Sequence, residues 1–149
     1  MAFTAVKRER PVMWDVVEEH LDEAAFHWEQ WERALVSPDN TLAGVAQGTE
    51  ARLLAHLDGL ASVSSGDVVP RLLEPRLASR RPDEVFAAAL ARCERPDDTL
   101  SWVPPIFEQE DPVATGPVLR ALELARRPGL GKALRGLVKR SAPALQAGV

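Results

Sequence analysis

Three histidines occur among 149 residues, and two of them, His20 and His27, lie with Glu23 on consecutive turns of one helical stretch. Side chains three and four residues apart share a helix face, so imidazoles and a carboxylate at this spacing can converge on a divalent transition metal. The arrangement falls short of the stronger metal signatures. It contains neither His-Glu-x-x-His nor Glu-x-x-His, and a carboxylate-bundle site needs matching ligands from a facing helix. The sequence therefore predicts surface histidines on an acidic helix there, with a metal-dependent enzyme using the His20/His27 region as an alternative. His56 stands between Ala55 and Leu57 at no recognisable catalytic spacing and reads as structural or exposed.

Two further chemistries are weighed and set aside. Cys93 is flanked by Arg92 and Arg95, which can lower a thiol pKa, but a small buried side chain on a helix is the expected reading. Gly129-Leu130-Gly131-Lys132 shares its Gly-Lys run with phosphate loops, yet lacks the earlier glycine, the Ser or Thr after Lys, and a preceding strand signal. No catalytic, metal or cofactor site is expected. The basic end carries more weight: Lys132, Arg135, Lys139 and Arg140 fall mostly along one helix face. Such a face can neutralise phosphates, but a pI of about 5.4 and the absence of interleaved aromatics argue against nucleic acid. An acidic protein partner, or the acidic first helix of another copy, is the expected target.

The elements that position these residues follow from periodicity. Between Pro11 and Pro38 runs a stretch free of Pro and Gly, with Trp14, Val17, Leu21, Ala24, Trp28, Trp31 and Leu35 at alternating steps of three and four. That period places all of them on one helical stripe. Residues 14–37 hold seven acids against Arg33 alone, whereas residues 118–149 hold seven bases against Glu123 alone. These ends can pair internally, stack head to tail, or face different partners. Glu18, Glu19 and Asp22 are the acidic candidates for partner binding. Ser37-Pro38-Asp39-Asn40 reads as a turn and Thr41 as a cap of a short helix, while Thr49 is predicted to cap a new helix bearing Leu53, Leu54, Leu57, Leu60 and Ala61. That helix should cover the tryptophans, making residues 1–65 a helical hairpin.

Residues 66–149 show a repeat of about 31 residues. Leu72, Leu73, Pro75, Leu77 and Pro82 recur as Trp102, Val103, Pro105, Phe107 and Pro112, then as Ala133, Leu134, Gly136, Val138 and Pro143. Each unit reads as two helices, the first over 67–79, 97–110 and 129–140 and kinked at Pro75 and Pro105, the second starting at Pro82, Pro112 and Pro143. The last unit is expected to be truncated. Stacked helical pairs of this period predict an all-α fold, a HEAT-like α-solenoid of stacked helical hairpins.

Several blocks carry a more specific likeness: Met13-Trp14-Asp15, the run from Glu19 to Phe26, Trp28-Glu29-Gln30, Glu32-Arg33-Ala34-Leu35, and the run from Arg52 to Leu60. Over residues 11–95 the chain resembles a family of uncharacterised proteobacterial HEAT-repeat proteins. The resemblance implies a helical repeat protein, often encoded near type VI secretion components, with no assigned catalytic residues. A single cysteine fits a reducing compartment, and no apolar run approaches the ~20 residues of a membrane span. The expectation is thus a cytoplasmic, non-enzymatic scaffold binding a protein, by resemblance an accessory or immunity component of a secretion system, with nucleic-acid binding as the alternative.

Overall fold

The computed structural model describes residues 11–63 and 65–146, with side chains as far as Lys139 in the last helix. The described residues are helical and form no strand. Helix α1 is Trp14–Val36, bounded by the two prolines as expected. Thr41 caps the short α2, Leu42–Val45, its hydroxyl accepting from the Gly44 amide at 3.1 Å. Here the first departure appears. Thr49 does not start a new helix: a π-helical turn, Ala46–Glu50, joins α2 to α3, Ala51–Ala61, without a break. A π turn inserts one extra residue into a continuous helix, so Gly48 and Thr49 stay within it and the hydroxyl of Thr49 is buried without a partner.

Leu53, Leu57 and Leu60 of α3 pack on Val17, Leu21 and Ala24 of α1, the antiparallel hairpin that the two stripes predict. The tryptophan seam is shared out differently. Trp31 is buried and its indole N–H donates to Glu50, but Trp14 and Trp28 are only half-buried. Trp28 is covered by Phe86, ring on ring at 4.4 Å, and Arg71 lies over Trp14.

Phe86 belongs to α5, Pro82–Glu94, in which every residue from Val85 to Ala91 is buried. A helix apolar on all faces must be enclosed, and α5 lies between α1 and α7, Pro112–Leu124. Both α5 and α7 begin at their predicted prolines, whose missing N–H would have lacked an intrahelical acceptor anyway. Asp111 caps α7 by accepting from the Val113 amide at 3.0 Å.

The helices before those prolines follow expectation in one unit and depart from it in the next. A second π turn, Val69–Leu73, runs without a break into α4, Glu74–Leu77, so Pro75 stands inside one helical run within the expected 67–79, just behind the π turn. Pro104 and Pro105 instead open the short α6, Val103–Glu108, in place of kinking a helix over 97–110. The third unit is a single helix: α8, Leu130–Gln146, runs through positions 136 and 143. Gly136 lowers helix propensity without ending the helix, and no turn precedes Pro143 as turns precede Pro82 and Pro112. No helix among the described residues is long and apolar enough to cross a membrane.

Candidate functional site

The α1–α3 hairpin brings all three histidines of the chain into one seam. Nδ1 of His20 lies 3.1 Å from Nδ1 of His56, so one of the two is protonated and donates to the other. The ring of His27 stacks on that of His56 with centroids 5.5 Å apart, and its Nε2 is 3.6 Å from a carboxylate oxygen of Glu23. His27 is only 8% exposed and its Nδ1 has no hydrogen-bond partner. His20, His56 and Glu23 are half-buried.

Local packing explains the approach. A Cβ on Gly59 would sit 2.8 Å from Nε2 of His20, so the His20 imidazole lies directly over the backbone of α3. In an antiparallel pair, three residues back along one helix match three forward along the other, and Gly59 against His20 therefore sets His56 against Glu23. Surface histidines are thus not what the fold makes of this stretch: His27 is core-facing and His56 completes a cluster that α1 alone could not form. The missing signal was hairpin register, which no local spacing carries.

Burial lowers the His56 pKa from its ordinary 6.5, and the neighbouring His20 and His27 push the same way against the opposing pull of Glu23 and Glu19. The unfolded chain consequently takes up a proton at this position before the folded one does. In chelator-treated buffer, stability should be unaffected by this group above pH 6.5 and fall as the pH drops below it. Urea midpoints of the parent and His56→Gln, compared from pH 7.5 down to about pH 5, should show the shallower slope in the variant. Parallel slopes would remove His56 as the source.

Cys93 is fully buried, and burial first, then Asp98 and Glu94, push its thiol up to about 12. A thiol held protonated is no nucleophile, in line with the core role expected of it.

The charged candidates separate into two groups. Among the described residues, the arginines of the central layers are engaged internally: Arg76 with Asp22 at 2.8 Å and Glu84 at 2.7 Å, Arg120 with Glu32 at 2.9 Å, and Arg126 with Asp58 at 2.8 Å. Internal pairing of the acidic beginning with later arginines is therefore realised in part, and Asp22 is one of the acids it uses. Lys132, Arg135 and Lys139 are exposed on α8, while Ala133, Leu134 and Leu137 turn inward to Cys93, Leu100 and Val103. The ion pairs among the described residues include none of these three bases, nor Glu18 or Glu19, which are exposed on α1. The Arg140 side chain lies outside the described residues.

Sequence reasoning passed over Asp98. Its carboxylate is buried in the α5–α6 connection and accepts from Arg92 Nε at 2.7 Å, the Leu100 amide at 2.8 Å and the Trp102 indole at 3.0 Å. In comparisons with known proteins, no family model, curated protein or solved structure matches the chain.

Proposed function

We propose that the chain is a non-enzymatic protein-interaction scaffold that engages an acidic protein surface through the outer face of α8. The observation that carries this reading is the contrast within the charge distribution. Arginines 76, 120 and 126 are used to bind layers together, whereas Lys132, Arg135 and Lys139 line an exposed stripe with no internal counter-charge among the described residues. Charges left out of internal pairs raise the local potential and steer an oppositely charged partner. In this reading α4–α5 and α6–α7 are successive HEAT-like hairpins. Their support is that α5 and α7 are each 13 residues long, start at prolines 30 residues apart and lie side by side. The resemblance of residues 11–95 suggests a setting near a bacterial secretion system.

Reversal of the stripe tests the reading. A Lys132→Glu, Arg135→Glu, Lys139→Glu chain should melt like the parent, because exposed charges away from internal pairs change stability by about 0.5 kcal/mol or less. It should also lose the protein that the parent captures from lysate at moderate salt. Capture of nothing at low and moderate salt overturns the proposal. So does binding of duplex DNA with a steep salt dependence that the reversal abolishes, which would establish a nucleic-acid function in its place.

A further inference from the structure

We propose that Glu23, His27 and His56 hold one divalent transition-metal ion of the zinc class that ties α1 to α3, with His20 as a positioning residue for His56. One ligand atom from each of the three lies within 4.8 Å of the others. Zinc bonds of about 2.0–2.1 Å in a tetrahedron set ligand atoms roughly 3.4 Å apart, so the remaining closure is on the order of 1 Å. The Glu23–His27 separation of 3.6 Å already meets that spacing. Small rotations of His56, which is half-buried, supply the rest.

The donor set selects the ion. Two imidazoles and a carboxylate suit zinc, cobalt or nickel and leave a fourth position for water, whereas magnesium and calcium favour all-oxygen cages. Ring orientation points the same way. His27 turns Nε2, not its buried Nδ1, toward Glu23. His56 has its Nδ1 against His20, leaving Nε2 as the ring atom with a lone pair to offer when Nδ1 carries the proton. Gly59 then has a reason to lack a side chain, since anything larger would drive His20 out of reach of His56.

The test uses the full chain after removal of metals by chelation. Calorimetric titration with Zn²⁺ should give one site, and Co²⁺ should develop the intense visible bands of a tetrahedral complex. His56→Gln and Glu23→Gln, both at half-buried positions, should fold as judged by circular dichroism and weaken binding at least tenfold. His20→Ala should lower affinity roughly 10- to 100-fold while the Co²⁺ spectrum of its saturated complex stays that of the parent, which separates positioning from ligation. Zn²⁺ at about a hundredfold excess over Kd should raise the parent Tm by roughly 5 to 10 °C. No binding with one-to-one stoichiometry, or an unchanged affinity in His56→Gln, overturns the proposal.

Discussion

Asp98→Ala should destabilise the protein by about 3–5 kcal/mol, among the largest losses expected from any single side-chain truncation in this chain. One carboxylate serves three donors: Arg92, the Leu100 amide and the Trp102 indole. The Arg92 side chain is 11% exposed and that of Asp98 only 3%, so truncation leaves a guanidinium largely out of water with its closest acid gone. Glu74, 3.9 Å away and mostly exposed, is a poor substitute. The carboxylate also holds Leu100 at a φ of +60°, a left-handed conformation that a branched residue resists, with its side chain fully buried. Asp98→Asn should lose less, because its oxygen still accepts from Leu100 and Trp102 while its amide group confronts Arg92. Urea unfolding measures both, and an alanine variant within 1 kcal/mol of the parent (about a fivefold change in the equilibrium) would mean that the connection is not anchored through Asp98.

The second large effect lies where α1 meets α5. Phe86→Ala should cost about 4 kcal/mol, since the ring is wholly buried and its removal opens a cavity beneath Trp28. Trp28→Ala should cost about 3 kcal/mol, the low end for an indole, because the residue is only half-buried although its ring is stacked on Phe86. The pair are in parallel contact at 11° between planes, so the double variant should lose less than the sum by roughly 0.5–1.5 kcal/mol. Additive losses would separate the two rings. A Trp28→Ala protein that unfolds like its parent would make the indole a surface feature.

The same two regions explain what could be read beforehand. Helix α1 was legible because its stripe repeats locally and prolines bound it at both ends. The starts of α5 and α7 were legible because Pro has one favourable place in a helix, the first turn. The enclosed character of α5 shows in its run Val85-Phe86-Ala87-Ala88-Ala89-Leu90, apolar on every face. Pro105 misled because a proline in a helical pattern can also mark the start of a helix, whereas Pro75 stands inside one behind a π turn, and spacing does not say which. Asp98 and His56 were illegible for a common reason. Their partners are set by how a loop turns and by hairpin register, both decided by tertiary packing, so Asp98 fell inside the helix expected over 97–110 and His56 read as structural or exposed.

Charge was legible in amount but not in use. The sequence shows an acidic beginning and a basic end; only the fold shows that Arg120 and Arg126 reach back to Glu32 and Asp58 while the α8 bases do not. Individual exposed pairs of this kind contribute little, typically 0.2–1 kcal/mol. Their value here is to distinguish the charges used for internal cohesion from those left for a partner.

Three histidines drawn from two helices converge on one seam. Proton NMR of the imidazole rings tests this convergence directly, in metal-free buffer at neutral pH. Cross-relaxation should connect the His56 ring with the rings of both His20 and His27, across 36 and 29 residues of chain. Three histidine rings without mutual cross-relaxation would show that α1 and α3 do not meet as described.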